Sequence, residues 1–199
     1  MAHWGLVLVT PPAAEPLSLE QAKGHLRVEV DDDDALISSL LQAAREKFEH
    51  DTWRALLTQT YDFVLDSFPP CNEAIRLPRP PLQSVTSVKY LDADGVQQTL
   101  AASVYKVDTA SEPGRLLLKE GEVWPDTLAE GNAVEVRYVA GYGDAPKAVP
   151  AMAMTALKML LSHWYEHREA VVVGGAVPQE LRLAWSSVVD SNKVRSSYP

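Results

Sequence analysis

Apolar residues recur with a helical period over the first third of the chain. Ser18 is followed three positions later by Gln21, a capping-box pair that predicts a short helix beginning at Leu19. Further along, apolar residues at helical spacing fall on one stripe of a second helix; they are Leu36, Ile37, Leu40, Leu41, Ala44 and Phe48. Two helices are therefore predicted before residue 57.

Four consecutive aspartates, residues 31–34, precede the second helix. Carboxylates at a helix start oppose the positive end of the helix dipole and can accept hydrogen bonds from its free amides, so the run has a structural explanation. The alternative is a divalent-metal site. The run lacks the alternating ligands, the glycine at the sixth position and the late glutamate of a calcium loop, which favours the structural explanation.

From Leu57 to about Val139 the pattern changes to alternation over short stretches, which is typical of half-buried antiparallel strands. The alternating apolar residues are Tyr61, Phe63 and Leu65, then Val88 and Tyr90, then Val134, Val136 and Tyr138. Turns that contain glycine, a residue able to adopt positive φ, lie between them at residues 92–95, 112–114, 119–121 and 129–131. This part of the chain is therefore predicted to be rich in hairpins.

Three prolines in four positions interrupt this region, at Pro78, Pro80 and Pro81 around Arg79. They hold the backbone extended and remove three amide donors, so the segment cannot form a central strand. Two interpretations remain. The preferred one is a rigid crossing between two strands or a flat edge, and the other is a surface on which a neighbouring chain packs.

Helical spacing returns after residue 145. Pro150 is expected at the first position of a helix that runs to about residue 168, with an inward stripe of Ala153, Leu157, Leu160, Leu161 and Trp164. Pro178 is expected to begin a last helix through Leu181, Leu183, Trp185 and Val188. We predict an α+β fold with a helical core of residues 15–56 and 146–190, an inserted antiparallel β-rich subdomain of residues 57–145, and a flexible tail of residues 191–199.

Charge narrows the possible functions. The chain has 18 Lys+Arg and 27 Asp+Glu, a net charge of -9, which argues against duplex binding because basic side chains supply most of the affinity for phosphates. Residues 1–60 hold 5 basic and 10 acidic residues, residues 61–145 hold 7 and 13, and residues 146–199 hold 6 and 4. Only the last part is basic, which points to a different partner for it.

Cysteine content and hydropathy exclude other classes. A single cysteine, Cys71, rules out an internal disulfide. The longest apolar region, residues 149–161, is shorter than the roughly 20 residues that a membrane span needs, so no membrane segment is predicted.

One motif matches a catalytic pattern. His163, Glu166 and His167 form H-x-x-E-H, in which two histidines one helical turn apart hold zinc and the glutamate activates water; a small zinc-dependent hydrolase is therefore an alternative function. Such a site needs a third protein ligand well downstream, and only 32 residues follow His167. His167 also shares a helical face with Leu160, which fits a half-buried residue at the negative end of a helix dipole.

Several phrases occur in a characteristic order: LVTPP, PLSLEQAK, HLRV and DDDDALI in residues 8–37, then TQT, LPRPPLQSV, VAGYG and HWYEHREA up to residue 170. In this order and spacing they resemble the head-tail connector, or adaptor, proteins of long-tailed phages and prophages. The resemblance covers residues 8 to about 173, and residues 185–197 match nothing in it.

The resemblance implies a structural virion component, without enzymatic activity or cofactor, that is made in the host bacterial cytoplasm and located in the head-tail neck. It implies a ring, with twelve copies expected, beneath the portal protein, which extends the DNA channel and docks a downstream neck or tail protein. DNA would pass without specific binding, and no membrane is involved. A stopper or tail-completion protein of the same neck region is the alternative.

Two expectations about surfaces follow from the resemblance. Carboxylates along the channel would repel DNA phosphates, although the acidic charge also has a simpler explanation in solubility before assembly. Contacts with other chains are expected at Pro78, Arg79, Pro80, Pro81, Trp164, Tyr165, Arg168, Arg182, Trp185, Lys193 and Arg195.

Overall fold

The computed structural model describes residues 3–167 and 179–194, in which four helices combine with antiparallel strands. The predicted α+β class is confirmed. The elements are β1 (Trp4–Thr10), α1 (Leu19–Leu26), α2 (Asp34–Thr52), β2 (Gln59–Leu65), β3 (Ile75–Arg76), β4 (Leu82–Leu91), β5 (Gln97–Thr99), β6 (Tyr105–Asp108), β7 (Arg115–Leu118), β8 (Val134–Ala140), α3 (Ala151–Glu166) and α4 (Gln179–Asn192), with short 3₁₀ turns at Pro70–Asn72 and Pro146–Ala148.

The described residues form two compact units. The β unit contains the N-terminal residues up to Pro12 and Thr58–Tyr142, and the helical unit contains Ala13–Leu57 and Gly143–Lys193. The strand β1 therefore belongs to the β unit, although hydrophobic periodicity did not predict it. No helix in the described ranges is both long and apolar enough to cross a bilayer.

The β unit consists of a five-stranded antiparallel sheet in the order β1-β2-β8-β4-β5 and a three-stranded sheet in the order β3-β7-β6. The central strand β8 alternates between buried and half-buried residues at every position, as its sequence predicts. In β2 the alternation fails at Asp62, which is only 8% exposed. The reason is Arg137 on β8, whose Nε and Nη2 atoms donate to the two Asp62 oxygens at 2.7 Å each.

The turns of the β unit agree only partly with prediction. Residues 92–95 form the hairpin turn between β4 and β5, with Gly95 at φ 78° and Asp92 Oδ1 accepting from the amides of Asp94 and Val96. Near residue 131, however, the positive φ falls on Asn132, at 63°, and not on Gly131. Asparagine is the side chain that tolerates this conformation best, because its short amide can hydrogen-bond locally.

In the helical unit the predicted helix starts and stripes are largely confirmed. The Gln21 amide donates to Ser18 Oγ, and the Ser18 amide donates to Gln21 Oε1, both at 3.1 Å, so the capping box is complete. The buried positions of α2 and α3 include the expected stripe residues Ile37, Leu41, Ala44, Phe48, Ala153, Leu157, Leu160 and Leu161.

Helix ends differ from the predicted ones by one or two residues. Pro150 is the N-cap of α3 and not its first residue, and α3 ends at Glu166, before residue 168. The helix α4 includes Ser191 and Asn192, where the flexible tail was expected to begin. Residues 195–199 of that tail lie outside the described residues.

The aspartate run does not cap α2 in the expected way. Asp33 occupies the N-cap position without a side-chain hydrogen bond to the helix. Instead, Lys23 of α1 donates to Asp31 Oδ1 at 2.6 Å and pairs with Asp34 Oδ1 at 2.7 Å. The charges still lie at the positive end of the helix dipole. Their hydrogen bonds, however, join α1 to the start of α2.

Candidate assembly interface

The proline-rich segment connects β3 to β4. Pro78 and Pro80 are buried, whereas Arg79 and Pro81 are half-buried. The Pro78 carbonyl accepts a hydrogen bond from the hydroxyl of the fully buried Tyr138 at 2.7 Å. Two of the four side chains thus belong to the core of the β unit. Only Arg79 and Pro81 are accessible to another chain, and their part in an interface stays a prediction.

Two aromatic residues predicted at an interface lie at the end of α3. Trp164 and Tyr165 are both half-buried. The Tyr165 hydroxyl donates to Asp33 Oδ2 at 2.5 Å, and this carboxylate directly precedes α2. The bond fastens the end of α3 to the start of α2. Arg168, expected to follow these aromatics at the interface, lies outside the described residues.

Trp185 fastens α4 to α2. Its indole Nε1 donates to Asp51 Oδ2 at 3.0 Å, and its ring meets Phe48 edge-on with centroids 6.0 Å apart. Lys47 Nζ lies 5.9 Å from the centroid of the Trp185 ring. The half-buried indole therefore has partners inside the helical unit, and its predicted contact with another chain stays untested.

The other predicted basic contacts lie on or after α4. The backbone of Arg182 is in α4, and Lys193 is exposed just beyond the last helical residue. Arg195 lies outside the described residues. At the same end of the helix, Arg54, which follows α2, donates from Nε to the carbonyl of Asn192 at 2.5 Å and so holds the last residue of α4.

The carboxyl of Asp51 makes the attachment of α4 sensitive to pH. Burial raises its pKa, but hydrogen bonds from Lys47, His50 and Trp185 outweigh burial and hold the pKa below its ordinary value of 3.8. A carboxyl with a lower pKa in the folded state stabilises the fold above its unfolded pKa, and this contribution disappears as the pH falls through the folded pKa. The stabilisation by Asp51 is therefore complete at neutral pH, begins to decline near the ordinary pKa of 3.8 and is lost as the pH falls through the lower pKa of the folded state.

Replacing Trp185 with phenylalanine is expected to lower the free energy of unfolding by about 1 kcal/mol at pH 7, because the donor to Asp51 is lost while an aromatic ring stays against Phe48. Urea unfolding at pH 7 and at a low pH below the folded pKa of Asp51, located by titrating the wild type, measures the effect, which should shrink at the low pH. Trp164→Phe is the control, since the Trp164 indole has no hydrogen-bond partner among the described residues. Equal losses at both pH values for Trp185→Phe would contradict the prediction.

The geometry of the H-x-x-E-H motif does not suit zinc. His163 is half-buried in the last turn of α3, whereas His167 is the exposed C-cap residue, which corrects the expectation that it is half-buried. The two rings stack with centroids 4.8 Å apart and an interplanar angle of 29°. Stacked rings direct their nitrogens along nearly parallel planes, but a tetrahedral zinc needs ligand lone pairs that converge on one point. Glu166 is exposed.

Metal-ligating side chains do not cluster elsewhere in the described ranges either: no three His, Cys, Asp or Glu residues there are placed to hold one ion.

A groove on the helical unit carries part of the positive charge of the C-terminal region. Its volume is about 570 Å³, and its lining residues are Gln21, Pro146, Lys147, Val149, Ala151, Met154, Thr155 and Lys158. Lys147 and Lys158 form no ion pair with any described residue. The groove therefore combines apolar side chains with two uncompensated positive charges. In the sequence, the only indication of this groove was the excess of basic over acidic residues in residues 146–199. That excess does not show which lysines lie near each other in the fold.

The strand β1 is a second surface that periodicity missed. Four of its side chains are exposed although they are large and apolar: Trp4 at 37%, Val7 at 54%, Leu8 at 47% and Val9 at 40%. The strand lies at the edge of the five-stranded sheet and pairs with β2 alone. Its sequence, WGLVLVT, carries no charge on either face, and this is the feature of the sequence that could have indicated an apolar surface strand.

Comparison with known proteins gives one family and a shared fold. Residues 16–98 match the family described as phage gp6-like head-tail connector proteins. No curated protein matches the sequence.

Among solved structures, a chain in the virion of a native gene transfer agent particle is 23% identical, with a TM-score of 0.78 and 96% of each chain covered. A chain in the neck of the empty particle, computed with C6 symmetry, is 24% identical with a TM-score of 0.77. A chain in the neck of the native particle, computed with C12 symmetry, is 24% identical with a TM-score of 0.71. In both necks 97% of each chain is covered, so the fold is shared over nearly the full length.

Proposed function

We propose that the chain is a structural component of a virion neck, on the premise that residues 16–98 match the phage gp6-like head-tail connector family. In this role it forms a ring beneath the portal, extends the DNA channel and docks the next neck or tail protein. The observation that carries the proposal is the likeness of fold to chains in two particle necks, over 97% of each chain. The C12 symmetry of one of these necks supports a ring of twelve copies.

A structural role also accounts for the H-x-x-E-H motif. Tyr165, inside the motif, hydrogen-bonds to Asp33 and holds α3 against the start of α2. His163 and His167 stack on each other at the end of the same helix. These residues therefore stabilise the helical unit, and the family's structural character supports a role without catalysis.

The net charge of -9 suits a protein through which DNA moves. Carboxylates repel phosphates at short range, and counterions screen the repulsion beyond a Debye length of about 8 Å at physiological salt. A ring of acidic subunits can therefore surround DNA without holding it. Low affinity for duplex DNA is then part of the function.

We assign the portal contact to the basic groove of the helical unit. Lys147 and Lys158 flank its apolar side chains, and exposed Lys193 follows α4 in the same unit. Such a groove suits an apolar segment that carries carboxylates, because each lysine gains an opposite charge that no residue in the described part of the chain supplies. The downstream protein then binds elsewhere on the ring.

Co-expression with the portal protein of the same phage or prophage tests this function. We expect a stable complex and annular particles by electron microscopy, since a connector binds the portal directly. The variant Lys147→Glu/Lys158→Glu should weaken portal binding by about tenfold or more, because two attractive charges become repulsive. The control is Lys106→Glu/Lys119→Glu, which reverses two lysines of the β unit.

Three outcomes would count against the connector function or against the groove as its portal contact. A chain that stays monomeric at high concentration and does not bind the portal contradicts the connector function as a whole. Binding only in the presence of a further neck protein would indicate a stopper or tail-completion protein. Equal portal binding by the two lysine variants would leave the connector function intact and exclude the groove.

A further inference from the structure

The five-stranded sheet has two edge strands, and neither carries a charged residue. The described residues include eight exposed large apolar side chains, of which four lie on β1 and a fifth, Val96 at 55%, directly precedes β5. These two strands are the first and last in the sheet order. The exposed apolar surface of the β unit is thus concentrated at the places where the sheet could accept another strand.

Neither edge has the charges that normally prevent strand addition. Natural proteins protect edge strands with lysine, proline, bulges or short length. The strand β1 has seven residues without a charge, and its only protections are the irregular pairing between Leu8 and Thr10 and the prolines that follow it. The strand β5 is protected only by being short, because Gln97, Gln98 and Thr99 are all exposed and uncharged.

Charge identifies a second copy of this chain as the partner that fits these edges. Two copies with a net charge of -9 repel each other over most of their surfaces. They can approach most closely where carboxylates are few or already hydrogen-bonded. The strand β1 carries none, and the Asp92 carboxylate, which contacts β5, accepts from the Gln98 side chain at 2.8 Å and from the Val96 amide at 2.9 Å. A partner of opposite charge would gain nothing at β1, since this edge offers no charge to neutralise.

Strand direction allows the two edges to meet repeatedly. Each adjacent pair in the order β1-β2-β8-β4-β5 is antiparallel, so β1 and β5 run in the same direction. Copies related by a small rotation keep nearly the same strand direction, so β1 of one copy would lie parallel to β5 of the next. This contact joins two different surfaces, and a contact of this type gives a ring when the rotation between successive copies closes.

We propose that β1 of each copy pairs in parallel with β5 of its neighbour, so that the five-stranded sheet continues from subunit to subunit. This inference rests on the proposed ring and identifies the surface that builds it. Backbone hydrogen bonds at Gln97–Thr99 set the register, and the apolar side chains of β1, together with Val96, lose contact with water.

Disulfide trapping tests the contact. Val7 and Gln97 lie on the same face of the sheet, because residues that pair across neighbouring strands share a face. Val7 pairs with Asp62, which pairs with Arg137, and Gln97 pairs with Leu91 on that same face. Neighbouring strands are about 4.8 Å apart, a separation that a disulfide can bridge. Cys71, the single native cysteine and an exposed one, is first replaced by serine.

In that background, mild oxidation of a mixture of the Val7→Cys chain and a size-tagged Gln97→Cys chain should give the mixed dimer in large excess over either homodimer. Replacing Val7→Cys by Val123→Cys is the control, since Val123 is 64% exposed in the same unit but lies on no strand. Predominant Val7→Cys homodimers would show a two-fold pairing of β1 with β1 and overturn the proposal. So would rings in which no mixed dimer forms.

A charge on the edge gives a second readout. Val7→Lys should raise the concentration needed for ring formation by about tenfold or more, while Val123→Lys should leave it unchanged. Circular dichroism and the melting temperature verify that both variants fold. If Val7→Lys forms rings like the wild type, the edge contact is wrong and the connector function stands. If the wild type forms neither rings nor a portal complex, the connector function itself fails.

Discussion

Replacing Arg45 with methionine is expected to lower the free energy of unfolding by about 3–5 kcal/mol. Arg45 is 5% exposed, and its guanidinium donates to Glu15 Oε2 at 2.8 Å and to Glu49 Oε2 at 3.0 Å. Glu49 is itself only 6% exposed. Without the guanidinium, the buried Glu49 carboxylate loses the charged group that donates to its Oε2, and breaking a buried ion pair is among the most destabilising changes in a protein.

The Glu49 side chain cannot turn towards water without breaking a second hydrogen bond, because its other carboxylate oxygen is also an acceptor. Glu49 Oε1 accepts a hydrogen bond from the amide of Leu56 at 2.8 Å, and Leu56 is fully buried. This bond fixes the chain where it leaves α2. The double variant Arg45→Met/Glu49→Gln should therefore recover most of the loss, since glutamine removes the charge but keeps an acceptor for Leu56.

Urea unfolding followed by circular dichroism measures these differences, with Lys47→Met as the matched control. Lys47 is two residues from Arg45 on the same helix, but its side chain is 46% exposed and pairs with Asp51 at the surface. Its loss should be below about 1 kcal/mol. Similar losses for Arg45→Met and Lys47→Met would mean that the buried network contributes no more than a surface pair.

Replacing Gly114 with alanine is expected to destabilise the β unit by about 3 kcal/mol or more. A Cβ atom at this position would lie 2.4 Å from Leu82 Cβ and 2.5 Å from Leu82 Cδ2. Leu82 is 4% exposed and begins β4. The backbone cannot simply move away, because the Gly114 carbonyl accepts a hydrogen bond from the Leu77 amide at 2.9 Å.

A second glycine provides a control of opposite sign. Gly24 lies inside α1, and a Cβ atom there would meet no atom within 4 Å beyond the backbone of its own helix. Gly24→Ala should therefore stabilise the chain by about 0.5–1 kcal/mol through helix propensity.

The overlap at Gly114 involves Leu82 Cβ, which alanine also has. Adding Leu82→Ala should therefore not rescue Gly114→Ala, and a rescue would contradict the steric explanation. Thermal melts of the single and double variants compare all three effects.

The elements that could be predicted from the sequence depend on residues close together in the chain. The capping box needs only Ser18 and Gln21, and the buried stripes of α2 and α3 need only helical spacing. The alternation in β8 needs only neighbouring positions. The aspartate run was predicted as the start of a helix for the same reason, and the helix begins there, at Asp34.

The candidate interface was less predictable because its residues act through distant partners. Tyr165 and Asp33 are 132 residues apart, and Trp185 and Asp51 are 134 apart, so no local pattern could show that these aromatics are hydrogen-bonded within the chain. Pro78 and Pro80 were expected at a surface or a crossing, and their burial depends on how the strands around them pack.

The amino-acid sequence alone thus determined the kinds of elements, their approximate bounds and the resemblance to connector proteins, because these depend on short-range spacing and on ordered phrases. Only the tertiary structure decided that β1 is an edge strand, that Arg137 covers Asp62, and that Tyr165 donates to Asp33. The physical reason is that strand order and side-chain partners are chosen by packing between remote segments, whose free energies do not appear in any local pattern.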